Sequence, residues 1–196
     1  MEARSTLEEV QCNFKSGKSI TRQIYIQLIG NEDRVPCKYM IFSNSARPKA
    51  TFTLWLQLQG RLLIADILTK WGLEINTQCL MCQSSDETNE HFFLECEYSK
   101  RVWHILLQWA QERPMNTVGG QQHQQEIISR SKGKSPVAQH FKMMYAEYVY
   151  SIWIERNMRI FEKVYRASES LTRDIACVCS ARAPVRIRRD VLMFRF

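Results

Sequence analysis

The chain has 196 residues, 45% of them hydrophobic, and a formal net charge of +7. A chain of this length can bury one ordinary hydrophobic core, or a core with a small satellite cluster. Because it has no apolar run near twenty residues and no basic-then-apolar leader, we expect no membrane span and no signal peptide. Seven cysteines, an odd number, fit a reducing compartment with a metal site better than a disulfide scaffold, so we expect an intracellular protein, either nuclear or cytoplasmic.

The N-terminal segment, residues 1–46, contains one apolar stretch over residues 20–29. Ile24, Ile26 and Leu28 alternate as in a strand, but apolar residues four positions apart in the same stretch also fit one face of a helix. We predict a short helix or strand there and favour the helix.

Two short helices are predicted to follow. Pro48 suits the first position of a helix and Gly60 its end, and a second helix is expected from about Leu62 to Trp71, ending at Gly72. We expect the two to face each other as a helical hairpin. Their predicted buried faces recur three or four positions apart: Phe52, Trp55, Leu56 and Gln59 in the first helix, and Leu63, Ile67 and Trp71 in the second.

A zinc site is predicted next along the chain, from Cys79, Cys82, His91 and Cys96. Structural zinc takes four tetrahedral nitrogen or sulfur ligands, and a Cys-x2-Cys pair supplies two of them from one tight turn. The histidine and the last cysteine would close the coordination sphere, which leaves no position for a substrate water. The alternative is three buried cysteines beside a surface histidine; a disulfide within the Cys-x2-Cys pair is disfavoured because nothing marks the chain as secreted.

A third helix is expected after the last cysteine, with Ser99 as a candidate cap. Lys100 and Arg101 would lie in its first turn, where the helix dipole disfavours cations. A basic pair placed there is a candidate nucleic-acid contact, although exposed Lys and Arg are also common at such positions. The predicted buried face consists of Val102, Trp103, Leu106, Leu107 and Ala110.

Residues 113–136 are rich in Gln, Ser and Gly, which is typical of a linker. A long helix is predicted after it, from about Val137 to Val164, with basic residues on its other faces. We expect His123 and His140 to face solvent. The aromatic stripe of the long helix could stack on single-stranded nucleic acid, but core packing is the favoured interpretation; the stripe is Phe141, Tyr145, Tyr148, Val149, Ile152, Trp153 and Ile160.

The positive charge is concentrated toward the C-terminus. Residues 111–196 carry fifteen basic and eight acidic groups, and Arg186, Arg188 and Arg189 are candidate phosphate contacts, although a basic terminus is often only solvated. The predicted zinc finger is acidic and would repel phosphate, so nucleic acid should contact mainly the C-terminal half. Two further cysteines, Cys177 and Cys179, are interpreted as ordinary thiols.

The predicted fold class is mainly α, a small helical domain organised by a Cys-Cys-His-Cys zinc site, followed by a linker and a long C-terminal helix. The predicted division is residues 1–46 as an N-terminal segment, 47–112 as the zinc-binding domain, 113–136 as the linker and 137–196 as a basic helical region.

The order of motifs between residues 47 and 103 resembles one family closely. These motifs are Arg47-Pro48-Lys49, Trp55, Gly60-Arg61-Leu62, Asp66, Leu68, Trp71-Gly72-Leu73, Cys79-x2-Cys82, Glu87-Thr88-x2-His91-Phe92-Phe93, Glu95-Cys96 and Arg101-Val102-Trp103. Together they resemble the reverse-transcriptase zinc-binding domain found at the C-terminal end of plant LINE-type (non-LTR) retrotransposon polyproteins. The resemblance covers roughly residues 17–110. Leu63-Ile64 departs from the family's usual Pro-Thr, which removes a helix N-cap.

The resemblance implies that Cys79, Cys82, His91 and Cys96 bind one structural zinc ion. It also implies an accessory role near template RNA or target DNA, and docking to a reverse transcriptase. From the residues, the leading hypothesis is a non-catalytic module that binds RNA or single-stranded DNA. The alternative is a protein-interaction module or domesticated remnant in which zinc is purely structural.

An enzyme is disfavoured by the motifs of the chain. There is no Asp-Asp dipeptide of a polymerase, no His-x-Glu of a zinc deaminase and no phosphate-cradling glycine loop. We therefore predict no catalytic residues, no small-molecule substrate and no membrane partner.

Overall fold

Helices make up the regular structure of the described chain. The computed structural model describes residues 37–115 and 119–183, and every regular element in these ranges is helical, so the mainly α fold class is confirmed. The α-helices are α1 (Lys38–Ile41), α2 (Pro48–Leu58), α3 (Ala65–Lys70), α4 (Glu97–Trp109), α5 (Gly120–Arg130), α6 (Pro136–Asn157) and α7 (Ser168–Arg182). Two π-helical turns, His91–Glu95 and Met158–Glu162, accompany them. The predicted element over residues 20–29 lies outside the described residues.

The long helix α6 is the centre of the fold. It begins at Pro136, where the Ser135 hydroxyl accepts a hydrogen bond from the Ala138 N–H at 3.2 Å. Every side chain from residue 140 to residue 149 is buried, because α2, α4, α5 and α7 pack around the helix. A helix that is covered on all sides shows no single apolar stripe. The prediction of a long helix with Phe141, Tyr145 and Tyr148 in the core is confirmed, but the α-helix ends at Asn157 instead of Val164, and Trp153 and Ile160 are only half-buried.

Helix α2 buries a different face from the one predicted. Ala50, Thr53 and Leu54 are buried against the core, whereas Phe52 is 58% exposed and Trp55 is 37% exposed. The predicted face is therefore wrong for these two aromatic residues. The reason lies outside the helix: the buried Glu147 carboxylate on α6 accepts hydrogen bonds from the Arg47 N–H and guanidinium, both at 2.7 Å, and this fixes how α2 is rotated on α6.

The second predicted helix is shorter than expected, and its stripe is also wrong. Residues before α3 are extended, with Ile64 at φ −109° and ψ 172°, so side chains alternate there instead of following a helical period. Leu62 and Ile64 are consequently buried, while Leu63 is 43% exposed. Beyond the helix, Trp71 is 66% exposed. Gly72 has a left-handed conformation, at φ +81°, and ends the helix as predicted.

A helix occupies the middle of the predicted linker. Residues 120–130 form α5, which buries Ile127 against α6 and places the Arg130 guanidinium over the Phe141 ring at 5.6 Å. The linker prediction is wrong there because one buried isoleucine and one packed arginine anchor a segment whose remaining residues are polar.

Helix α4 buries the predicted face, but its cap differs. Val102, Trp103, Leu106 and Leu107 are buried as predicted, and Trp103 contacts the ring of Tyr148 at 5.0 Å between centroids. The N-cap position is held by Cys96 instead of Ser99. The start of α4 therefore coincides with a predicted metal ligand.

The described residues fall within one compact unit, in which the cysteine-rich segment and α6 share a core. His140, predicted to face solvent, lies in that core at 4% exposure against Trp109, because residues 140–149 are surrounded by other helices. Among the described helices, none has the length and apolar character needed to cross a bilayer.

Candidate metal centre

The four predicted zinc ligands come together in space. The side-chain ligand atoms of Cys79, Cys82, His91 and Cys96 all lie within 4.8 Å of one another. The sulfurs of Cys79 and Cys96 are 3.9 Å apart. In a tetrahedral site with Zn–S bonds of about 2.3 Å, two sulfur ligands are about 3.8 Å apart. The spacing of this pair therefore already matches that of a zinc site.

The cysteine pair lies on a tight turn held by backbone hydrogen bonds. The Cys79 N–H donates to the Ser85 carbonyl and the Gln83 N–H donates to the Cys79 carbonyl, both at 2.8 Å. Gln83 takes a left-handed conformation, at φ +58°, which lets the chain reverse direction. A short antiparallel bridge between Gln78 and Asp86 closes the base of the turn.

A π-helical turn places the other two ligands on the same side of the chain. In a regular α-helix, residues five positions apart point about 140° away from each other. Here the Cys96 N–H donates to the His91 carbonyl at 2.7 Å, which is the five-residue bond of a π-helix. The extra residue in the turn brings the His91 ring and the Cys96 sulfur to one site.

Hydrogen bonds favour thiolate at Cys96. The bond from the Cys79 thiol lowers the pKa of Cys96, and the backbone N–H groups of Ser99 and Tyr98 lower it further against the effect of burial. The pKa of Cys79 is raised, first because its thiol donates that bond and second because it is buried. Thiolate is the form of cysteine that binds metal, and a bound ion would deprotonate the coordinating thiols.

The geometry indicates which ring nitrogen of His91 faces the site. Nε2 lies 3.2 Å from the Cys82 sulfur, while Nδ1 points toward the Glu95 carboxylate at 3.8 Å. A metal-binding histidine commonly directs its other nitrogen toward a carboxylate in this way. Cys79 and Cys96 are fully buried and His91 is 7% exposed. Three sulfurs and one imidazole fit Zn²⁺, and four protein ligands would leave no coordination position for a reactive water.

A buried ion pair ties the cysteine-rich segment to the long helix. The Glu87 carboxylate accepts hydrogen bonds from the Arg156 guanidinium at 2.7 and 2.9 Å, and both side chains are almost fully buried. The same carboxylate accepts the Ala65 N–H at 2.9 Å. It therefore supplies the N-terminal acceptor of α3 that Ile64 lacks. In the sequence, Glu87 stands out only as part of the family motif, and its role as a buried acceptor is not predicted.

A second buried glutamate supports the cysteine turn indirectly. Glu155 accepts hydrogen bonds from the Arg159 guanidinium at 2.9 Å and the Arg166 guanidinium at 2.8 Å. Burial alone would raise the pKa of Glu155, but the Arg166 N–H and the two guanidinium groups lower it overall. Arg159 also donates to the carbonyls of Leu80 and Met81 at 3.3 Å, inside the Cys-x2-Cys turn. The four-residue spacing of Glu155 and Arg159 was the signal available in the sequence.

Only two of the five predicted nucleic-acid contacts lie among the described residues. Lys100 lies 3.4 Å from the Glu97 carboxylate, and Arg101 contacts Glu169 at 2.5 Å. Both side chains are exposed, but each faces a carboxylate, so their charges are partly neutralised. Arg186, Arg188 and Arg189 lie outside the described residues. Of the two further cysteines, Cys177 is exposed and Cys179 is buried, and both are free thiols.

Residues 20–103 match a family model described as zinc-binding in reverse transcriptase. The matched segment contains all four clustered ligands and the Glu87 carboxylate. No curated protein and no solved structure matches the chain at a significant level. The match is to a zinc-binding domain and not to a catalytic domain, and together with the Cys3His cluster it supports a zinc-binding module of reverse-transcriptase type.

Proposed function

We propose that this chain is a non-catalytic accessory module of a reverse transcriptase, in which one zinc ion has a purely structural role. The observation that carries the proposal is the Cys79, Cys82, His91 and Cys96 cluster, which offers four protein ligands and is buried except at the half-buried Cys82. A catalytic zinc ion keeps one position open for water or substrate. A site with four protein ligands is therefore suited to stabilising the fold.

The module is proposed to bind template RNA or target DNA for a polymerase that it docks against. The net charge of +7 and its concentration in residues 111–196 support this role, because neutralised phosphates account for most nonspecific nucleic-acid affinity. The order of sequence motifs supports the further assignment to plant LINE-type (non-LTR) retrotransposons.

The metal assignment is tested by elemental analysis of the purified chain. We expect one zinc ion per chain, lost in Cys82→Ser together with most of the helical circular dichroism of the matched segment. The matched control is Cys177→Ser, since Cys177 is an exposed free thiol outside the cluster. Native circular dichroism and thermal midpoint in Cys82→Ser would refute the structural role.

A protein-interaction module is the second candidate, and one observation favours it. The exposed rings of Phe52 and Trp55 stack at 5.8 Å on the outer face of α2, and Trp71 is exposed nearby in sequence. Exposed aromatic residues are common anchors of protein interfaces. A salt titration separates the two candidates: a steep log–log decrease in RNA or single-stranded DNA affinity supports the first, and no binding at 50 mM salt supports the second.

A further inference from the structure

A groove between α1 and the start of α6 combines lysines with exposed aromatic rings. It has a volume of about 600 Å³, and its walls include Lys38, Lys134, Lys142, Tyr39 and Phe42. Tyr39 is 44% exposed and Phe42 is 72% exposed. No carboxylate is among the described residues that line the groove. Its lining is therefore positive and offers two aromatic faces.

Lys142 forms the floor of this groove and is itself buried. The residue is 4% exposed, and its ammonium group donates to the Phe42 carbonyl at 3.3 Å. Within the described part of the chain, no carboxylate pairs with it. A buried ammonium without a counter-ion is costly, and burial lowers the pKa of Lys142. An anion in the groove would relieve that cost.

The neighbouring elements add to the attraction for anions. Lys134 precedes the N-cap residue Ser135 of α6, so the positive end of a 22-residue helix dipole lies beside the groove. Lys38 holds its ammonium group 4.9 Å from the centre of the Tyr39 ring. Lysine and aromatic side chains are thus interleaved over a short stretch of surface.

Two other grooves of the molecule have the opposite character. The groove beside the π-helical turn is lined by Glu90 and Glu95 along with Lys100, and the groove between α2 and α5 contains Glu90 but neither lysine nor arginine. A phosphate backbone would meet carboxylates in both. The charge of the α1–α6 groove distinguishes it from them.

We propose that the α1–α6 groove binds single-stranded nucleic acid, with phosphates held by Lys38, Lys134 and Lys142 and unpaired bases stacked on Tyr39 and Phe42. Single-strand binding sites combine a cationic track with aromatic platforms in this manner. This inference rests on the proposed nucleic-acid function and assigns its location. It moves that location away from Lys100 and Arg101.

The phosphate contacts are tested with the full chain and a fluorescein-labelled oligo(dT) of twenty nucleotides, followed by fluorescence anisotropy between 50 and 200 mM KCl. We expect the Lys38→Ala/Lys134→Ala double variant to flatten the log–log salt slope by about 1.4, since each single-strand phosphate contact contributes about 0.7. The matched control is Lys100→Ala/Arg101→Ala, which removes the same charge from α4 and should leave the slope close to that of wild type.

The stacking contacts are tested by comparing oligo(dT) with an abasic oligonucleotide of the same length and charge. We expect the wild type to prefer the base-containing strand, and Phe42→Ala to bind it at least about fivefold more weakly. Binding of the abasic strand should change little. Phe161→Ala serves as the control, because Phe161 is 78% exposed and is not part of the groove.

The outcomes separate failure of the groove from failure of the proposed function. If the wild type does not bind oligo(dT) at 50 mM KCl, the nucleic-acid function fails and this inference fails with it. If the wild type binds but both groove variants behave like their controls, the groove is refuted and the function stands. Equal competition by a twenty-residue polyglutamate peptide would also refute it, since that peptide carries charge but no bases.

Discussion

Three glutamates are buried in the described structure, and each is satisfied by arginine. Glu87 contacts Arg156, Glu147 contacts Arg47, and Glu155 binds two arginines. Buried carboxylates persist only when they are paired and hydrogen-bonded. The Glu87 and Glu147 pairs join segments that are far apart in the chain, whereas Glu155 pairs with arginines close to it in sequence.

The Glu87–Arg156 pair should couple strongly in unfolding experiments. Removing one partner of a buried pair typically costs about 3–5 kcal/mol, because the other charge is left uncompensated. We expect Glu87→Gln to lower the free energy of unfolding by that amount in urea titrations. Glu74→Gln, at an exposed position, should be nearly neutral.

The double variant Glu87→Gln/Arg156→Met completes a thermodynamic cycle for this pair. We expect it to be less destabilised than the sum of the two single variants, since neither charge is then left buried alone. Additive effects would show that the two side chains do not interact.

Burial of His140 should make stability depend on pH. Burial lowers the pKa of His140 to about 4 in the folded chain, whereas an unperturbed histidine titrates near 6.5. Between these values the unfolded chain binds a proton that the folded chain does not, so stability falls as the pH decreases through this window.

Urea titrations at pH 7 and pH 5 test this dependence. Between pH 7 and pH 5, we expect the free energy of unfolding of His140→Gln to fall by about 2 kcal/mol less than that of the wild type. The substitution removes the proton that His140 takes up on unfolding. Exposed His104 provides the matched control, and His104→Gln should lose as much stability as the wild type. An unchanged loss in His140→Gln would contradict the assignment.

Among the elements, α2 is a helix whose sequence is compatible with burial of either of two overlapping faces. A period of 3.6 residues fits Phe52 and Trp55 as well as it fits Ala50 and Leu54. The selection comes from α6, where Glu147 holds the N-terminal end of α2. The aromatic pair is then directed outward, and small residues pack against the core.

The unequal stability losses of two substitutions test the orientation of α2. Leu54 is fully buried, so Leu54→Ala should lower the free energy of unfolding by about 3–5 kcal/mol. Phe52→Ala removes a larger side chain from an exposed site and should cost less than about 1 kcal/mol. Urea denaturation of both variants checks this order, and a reversed order would restore the face predicted from the sequence.

At the scale of the whole molecule, the metal centre and the helical core form one structure. Arg159, in the π-helical turn after α6, donates to the carbonyls of Leu80 and Met81, and the Tyr148 hydroxyl donates to the Phe93 carbonyl at 2.8 Å. These contacts link both halves of the cysteine cluster to the central helix. Loss of the metal site should therefore lower the stability of the whole core.

Chelation of zinc should destabilise α6 as well as the cysteine-rich segment. Structural zinc contributes on the order of 10 kcal/mol, comparable to the whole stability of a typical domain. We expect hydrogen-exchange protection of residues 140–149 to fall sharply after a strong zinc chelator is added. The control is the same treatment of a chain reloaded with zinc. Unchanged protection in α6 would show that the helical core is independent of the metal.

The helical class, the bounds of α2, the start of α6 and the four candidate ligands follow from the sequence because their determinants are local. Cys79 and Cys96 are seventeen positions apart, and one turn and one π-helical turn suffice to join them. The faces of α2 and α3, the helix α5 and the burial of His140 depend instead on what α6 places beside them.

The partners of the Glu87 and Glu147 carboxylates were decided by tertiary structure alone. Glu87 and Arg156 are 69 positions apart, and Arg47 and Glu147 are separated by 100. No local period relates such residues, and a charged side chain in isolation is best satisfied by water. Only the packing of α2 and the cysteine-rich segment on α6 removes that water and leaves arginine as the partner for each carboxylate.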